Sequence, residues 1–329
     1  MRAAVYRDHG PAAEVLRIEE IDTPSPGPGE VRVRIAYSGV NPTDWKSRSG
    51  TVPLPRSTHF QVPDQDGSGV IDEVGPGVDP TRVGERVWLY LAAYRRPYGT
   101  AAEFSVVPSE QAVPLPDNAS LSLGASIGVP AVTAHRCLFA DGPIDGSTVL
   151  VAGGAGAVGH FAIELARSAG ATVIATVSSE SKAALARAAG AHHVVDYRSA
   201  GAADEIRRAA PEGVDRIVEV APATNLRLDL DVAASGATIV SYAAEATQPQ
   251  LPVRELMGRN LVLRFVLLYT MPGAAFRAAA ADLTRALTAS LLTPLPTTVF
   301  PLDEAAAAHD AVEAGTVGKV LIAVDQDIS

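Results

Sequence analysis

Seven residues, Gly153-Gly154-Ala155-Gly156-Ala157-Val158-Gly159, constrain this chain more than any other feature. Gly154, Gly156 and Gly159 fit a G-x-G-x-x-G spacing, and Gly153, Gly156 and Gly159 fit a looser G-x-x-G-x-x-G. Thr148–Ala152 (TVLVA) before them is a short apolar run of the buried-strand type. Val158, Phe161, Ala162, Leu165, Ala166 and Ala169 follow at helical spacing, and Thr172–Val177 (TVIATV) reads as a second strand. In that setting glycines let the chain turn sharply and let the backbone approach a diphosphate closely. The helix that follows points its free N–H groups at the phosphates. A ligand-free glycine-rich turn is the alternative, and the flanking strands and helix argue against it.

The end of the second strand selects the coenzyme. An NAD site usually places Asp or Glu there, about 20 residues on, to bond the ribose 2′-hydroxyl. This chain has Val177-Ser178-Ser179-Glu180-Ser181-Lys182. Ser178 at the tip carries no charge to repel a phosphate, and Lys182 one helical turn later offers three donors. Together they favour a 2′-phosphate, so NADPH is the expected coenzyme. Glu180 argues the other way, but it falls inside the turn rather than at the strand tip. Lys182 alone would read as a solvated helix charge.

Elsewhere the chain changes style near residue 120. Residues 31–37 (VRVRIAY) alternate apolar and charged side chains, and 70–74 and 86–91 look like further short strands between Gly/Pro turns. That pattern predicts a compact, barrel-like β domain. After Thr148, apolar strands alternate with helices: a helix over 181–189, then strands at His193–Asp196, 216–220, 237–241 and 261–268 (LVLRFVLL). Such alternation predicts a doubly wound parallel sheet, and so an α/β protein. The tail predicts a helix over 274–292, a strand over 297–300, a helix over 303–313 and a strand over 319–324.

Composition excludes several classes. With 329 residues, 47% hydrophobic and 19% charged, the chain can build two ordinary domains. A net charge of −10 disfavours nucleic acid as a partner. The single cysteine, Cys137, rules out a disulfide within the chain, and its expected place is a helix interior. The N-terminal residues lack a signal-peptide run, and no segment approaches the roughly 18 apolar residues of a membrane span. A cytoplasmic protein without membrane contact is the expectation.

Several stretches resemble the zeta-crystallin-like quinone oxidoreductase branch of the medium-chain dehydrogenase/reductase superfamily. They are GVNPTDWKSRSG (39–50), PDQDGSGVIDEVG (63–75), IGVPAVTAHRCL (127–138), AGAHHVVDY (189–197) and GTVGKVLIAV (315–324). The resemblance implies a GroES-like catalytic domain over 1–122, completed by 270–329, with a Rossmann NADP-binding domain over 123–269. It implies that Ser178 and Lys182 hold the adenosine phosphate with Tyr197 stacking nearby. It places Asn41, Thr133, Asn225 and Tyr242 near the nicotinamide half, with Val266 and Leu268 along its path. It also implies a homodimer in which residues 261–268 pair with the partner's copy; that segment is apolar enough to be a hazard if left bare.

Zinc-dependent relatives carry a cysteine near where Ser38 and Asn41 stand, and a four-cysteine lobe that this chain cannot build. His59, His135 and His160 show no ligand spacing, and His192-His193 would point to opposite sides of a strand. A zinc-independent reductase needs an acceptor that is already electrophilic, such as a quinone or an α,β-unsaturated carbonyl. Asn41 would place the nicotinamide or the substrate oxygen. Asp44 and Lys46 would shape the substrate mouth, with Lys46 donating to a developing oxyanion; a local solvated ion pair of those two is the alternative. Quinone reductases often have tyrosine where this chain has Lys46 and Val52, whereas Asn-Pro-x-Asp-x-Lys resembles enone and alkenal reductases. An NADPH-binding structural or RNA-binding role, as in some zeta-crystallin relatives, is the reading from another class. Asp64, where relatives tend to have glycine, forms an acidic spot with Asp66 that the sequence leaves unassigned.

Overall fold

The computed structural model describes residues 1–53, 59–325, 327 and 328. The chain forms two compact units, Met1–Val129 with Ala280–Ser329, and Pro130–Ala279. In chain order the first unit contributes β1 (Arg2–Val5), α1 (Ala12–Val15), β2 (Arg17–Glu20), β3 (Glu30–Val40), α2 (Pro42–Ser49), β4 (Asp66–Val74), β5 (Arg86–Leu89), β6 (Phe104–Pro108) and β7 (Ala112–Pro114). Helix α3 (Leu121–Phe139) leads into β8 (Thr148–Ala152), α4 (Ala157–Ser168), β9 (Thr172–Val177), α5 (Glu180–Ala188), β10 (His193–Asp196) and α6 (Ala202–Ala209). Then come β11 (Val214–Glu219), α7 (Pro222–Val232), β12 (Ala233–Ser241), α8 (Val253–Gly258) and β13 (Val262–Phe265). The chain closes with α9 (Gly273–Thr288), β14 (Thr297–Pro301), α10 (Ala305–Glu313) and β15 (Lys319–Ala323). Both divisions between units fall inside helices, α3 and α9, rather than at the expected borders 122/123 and 269/270. A continuing helix carries no change of composition to mark such a border.

The second unit is a parallel sheet in the order β10-β9-β8-β11-β12-β13. This is the 3-2-1-4-5-6 order of dinucleotide-binding sheets. Central β8 buries Val149, Leu150 and Val151 completely or nearly so, because helices cover both faces. The strand expected over 261–268 is shorter. Only Val262–Phe265 pairs with β12, whose last paired residue is Ser241. Val266 N–H donates to Ser241 O at 2.8 Å, and Leu268–Thr270 then forms a single 3-10 turn. With no partner backbone left to pair, the segment cannot stay extended.

In the first unit the strands run β14-β15-β3-β4-β5-β7, with β6 also on β3. The 11-residue β3 pairs along one edge with β4, with register shifts at Arg32/Val33 and Ile35/Tyr37, and shares its other edge between β6 (residues 30–34) and β15 (residues 37–40). Val31, Val33, Ile35, Val87 and Leu89 pack its core. The tail completes this sheet, since β15 pairs antiparallel with β3 from Tyr37 to Val40. Gly39 is demanded by packing: a Cβ there would lie 2.0 Å from Ala125 O. Among the described residues no helix is long and apolar enough to cross a membrane.

Candidate active site

Parallel sheets bind ligands outside the carboxyl ends of their strands, and the second unit brings the expected coenzyme residues to that end. Tyr197 follows β10, Ser178 follows β9, the glycine loop follows β8, Asn225 lies one turn into the helix after β11, Tyr242 follows β12 and Val266 follows β13. The order in which the parallel strands are added reverses between β8 and β11, where a crevice is expected.

Each glycine of the loop meets a different demand. Gly153 has φ +71, a left-handed conformation that side chains rarely adopt. A Cβ on Gly154 would sit 2.8 Å from Ala175 Cβ, and one on Gly159 would sit 2.3 Å from Gly153 O. Gly156 is different, since its Cβ would meet nothing closer than Gly153 O at 3.4 Å. The protein itself does not need glycine at 156; a backbone that must lie against a ligand does. Ala155 is buried, and Gly156 is the N-cap of α4, so the N–H groups of Ala157, Val158 and Gly159 have no partner within the helix. These residues fit a bound diphosphate.

At the tip of β9, Lys182 Nζ donates to Ser178 Oγ at 3.2 Å, and Arg198 donates to the Ser178 carbonyl at 3.1 Å. Arg198 also stacks over Tyr197, 5.9 Å from the ring centroid. Two cations thus converge on an uncharged serine. Arg198 escaped the sequence reading, although it follows Tyr197 directly after the strand that pairs with β9. Glu180 does not join this group: Arg187 holds its carboxylate at 2.6 Å.

On the other side of the loop, Asn225 Nδ2 donates to Glu219 Oε1 at 2.9 Å. Burial pushes the Tyr242 phenol well above its usual range, as does the nearby Glu219 carboxyl. Thr133 is buried in α3, Leu268 is buried at the start of its turn, and Val266 is half-buried. Cys137 is buried in α3, and desolvation pushes its thiol up to about 12, so it is neither nucleophile nor ready metal ligand.

The first unit gathers a buried polar cluster. Asn41 Nδ2 donates to Asp66 Oδ2 at 2.7 Å, and Lys319 Nζ donates to Asn41 Oδ1 at 2.7 Å and to Asp66 Oδ2 at 3.1 Å. Both ends of the Asn41 amide are therefore engaged within the unit. Asp66 also accepts Val129 N–H at 2.6 Å. Ser38 Oγ donates to Asp64 Oδ2 at 2.8 Å, and His309 Nε2 lies 3.0 Å from Asp64 Oδ1. Asp64 has φ +75, which explains why a glycine would suit the position. Here the carboxylate is retained, hydrogen-bonded by Ser38 at Oδ2, with His309 Nε2 close to Oδ1.

Two expectations for this region need correction. Asp44 does not shape an open mouth: it is 3% exposed, and its Oδ2 accepts Asn41 N–H at 2.7 Å as the N-terminal cap of α2. It forms no ion pair with Lys46, whose ammonium lies 5.7 Å from the Trp45 ring centroid. A side chain folded back to its own helix start cannot reach one two residues on. Burial pushes the Asp44 carboxyl well above the usual range, reinforced by Asp64 and Asp66. Nor do His192 and His193 share a strand: β10 starts at His193, and His192 Nδ1 accepts Val173 N–H at 2.9 Å. Lys319 was missed, although a charged residue opening the apolar run KVLIA is itself a signal of a buried partner.

Comparison with known proteins agrees with this geometry. Residues 27–117 match the family described as "Alcohol dehydrogenase GroES-like domain", and residues 157–285 match "Zinc-binding dehydrogenase". The quinone oxidoreductase of Rattus norvegicus is 30% identical, over 98% of this chain and 97% of that protein. A 2-haloacrylate reductase of Burkholderia sp is 32% identical, over 98% of each. A mycobacterial protein solved in complex with NADPH is 30% identical with a TM-score of 0.85, covering 98% of this chain and 100% of that one. The chain belongs to the quinone oxidoreductase branch of the medium-chain dehydrogenase/reductase superfamily, and it is a nicotinamide-dependent reductase.

Proposed function

We propose that the enzyme transfers hydride from NADPH to a quinone and does so without zinc. The observation that carries the coenzyme choice is the convergence of Lys182 and Arg198 on Ser178, with Glu180 drawn off by Arg187. Those two cations take the 2′-phosphate, Tyr197 borders the adenine side, and the glycine loop with the α4 N-terminus holds the diphosphate. Thr133, Asn225, Tyr242, Val266 and Leu268 border the nicotinamide half. When bound, the coenzyme supplies the hydride. The protein's part is orientation, together with a donor for the charge left on the acceptor, for which Lys46 is the candidate.

The donor set supports zinc independence. In the first unit the oxygens of Asn41 and Asp66 are already held by the Lys319 ammonium, and Asp64 faces His309. No thiolate joins them, and among the described residues no group of His, Cys, Asp and Glu is arranged to hold a metal. The residues present do not fit the ion that the matched family's description implies. An acceptor that needs no Lewis acid is the consequence.

Reduction of a conjugated C=C bond is the second reading. It is favoured by Asn41-Pro42-Thr43-Asp44-Trp45-Lys46 and by the likeness to a 2-haloacrylate reductase. We place a homodimer contact on the outer edge of β13, where Val262 and Phe265 are 45% and 71% exposed. The test is an NADPH-oxidation screen over quinones, alkenals and cyclic enones, repeated with NADH. Turnover of quinones with NADPH supports the first reading, and turnover of enones alone supports the second. A preference for NADH would overturn the coenzyme assignment.

A further inference from the structure

Two carboxyl groups lie buried together beside the glycine loop, and the reductase chemistry described above uses neither. Glu219 ends β11 with no exposed surface, and Asp229 on α7 is 1% exposed. Glu219 Oε1 accepts N–H groups from Ala221 and from the Asn225 side chain. Among the described residues neither Glu219 Oε2 nor Asp229 Oδ2 has a hydrogen-bond partner. Burial and the neighbouring Glu219 both push the Asp229 carboxyl well above the usual range. Two neighbouring buried carboxyls resist ionising together, so the pair keeps one proton. Asp229 keeps it, because all the donors reach Glu219.

The location gives this pair a job. β11 stands beside β8, where the strand order of the sheet reverses. Val220, the next residue after Glu219, lies 3.3 Å from where a Cβ on Gly153 would be. Asn225 stands one turn into α7, the helix that follows. Because Nδ2 is committed to Glu219, the amide cannot flip, and Oδ1 is left as the outward acceptor.

We propose that Glu219, backed by the buried Asp229, is a positioning residue that fixes the Asn225 amide so that its Oδ1 accepts a hydrogen bond from the nicotinamide half of the coenzyme. The donor is the carboxamide N–H or a ribose hydroxyl. The proposal rests on the coenzyme reading above and adds the device that orients one of its contacts. Asp229→Asn preserves an N–H donor toward Glu219, whereas Asp229→Leu, branched at the same carbon, removes it.

The experiment measures KM for NADPH, kcat and thermal stability for wild type, Asn225→Ala, Asp229→Asn and Asp229→Leu. Asn225→Ala and Asp229→Leu should raise KM about tenfold, the loss of one hydrogen bond, with kcat changed far less. Asp229→Asn should stay within about twofold of wild type. A 3-acetylpyridine analogue of the coenzyme, which lacks the carboxamide N–H, separates the two donors. If the carboxamide is the donor, Asn225→Ala costs nothing further with the analogue; if a ribose hydroxyl is, the full loss remains. The proposal is overturned if Asp229→Leu lowers stability but leaves KM unchanged, or if Asp229→Asn is as impaired as Asp229→Leu. Failure of wild type to use NADPH at all would instead overturn the coenzyme reading.

Discussion

Lys319 and Asp66 form a buried ion pair, 2% and 0% exposed, that ties β15 in the tail to β4 near the start of the chain. Removing one partner of a buried pair leaves the other charge uncompensated, at a cost of about 3–5 kcal/mol. Lys319→Met should therefore destabilise strongly in chemical denaturation. Adding Asp66→Asn should recover a large part of the loss, because the orphaned charge is gone. Purely additive losses would show that the two groups do not act as a pair.

Asp44 makes a prediction with a definite sign. Its folded-state carboxyl is held well above its usual range, so the folded chain keeps a proton that the unfolded chain releases near pH 3.9. Stability from this group is highest at low pH and falls as pH rises from there toward its folded value. Asp44→Asn keeps an acceptor for Asn41 N–H and has no proton to lose. At pH 7 it should be at least as stable as wild type, with the advantage shrinking toward pH 3. Asp44→Ala loses the cap and should be about 1 kcal/mol less stable than the Asn variant. Denaturation curves across that range decide it.

Arg198 should discriminate between coenzymes. Arg198→Ala removes a cation beside Ser178 and should raise KM for NADPH about tenfold while leaving NADH kinetics unchanged. Lys182→Ala should behave the same way. Arg187→Ala frees Glu180 and should reduce the NADPH-to-NADH preference more modestly. Equal losses with both coenzymes would remove the phosphate role from these residues.

Asp141 clamps two strands of the second unit. It lies 2.9 Å from Arg216 on β11 and also pairs with Arg264 on β13. Partial burial opposes its charge, yet the two guanidiniums hold its carboxyl below the usual range. That contribution is complete above about pH 4 and is lost as pH falls through the depressed folded value. Asp141→Ala should cost about 2 kcal/mol, since Arg216 is 8% exposed and among the described residues keeps the Cys137 carbonyl as its remaining partner. The deficit should shrink in acid, as seen by comparing unfolding midpoints at pH 7 and pH 3.

Strand and helix positions in the second unit were legible because their signals are local. Val149 to Val151 must be apolar in a strand covered on both faces, and the glycine spacing needs only a turn of fixed geometry. From these came the parallel sheet, the glycine loop and the pairing of Ser178 with Lys182, all set by residues close together in the chain. Tertiary structure decided the rest. Lys319 meets Asn41 across 278 positions, Arg198 reaches Ser178 only because β10 lies beside β9, and Asp229 finds Glu219 through the packing of α7 on β11. Periodicity tells which face of an element is apolar; it does not tell which buried charge on that face meets which other. Those pairings depend on strand order and side-chain direction, and they decide which carboxyl keeps its proton and which cations meet at Ser178.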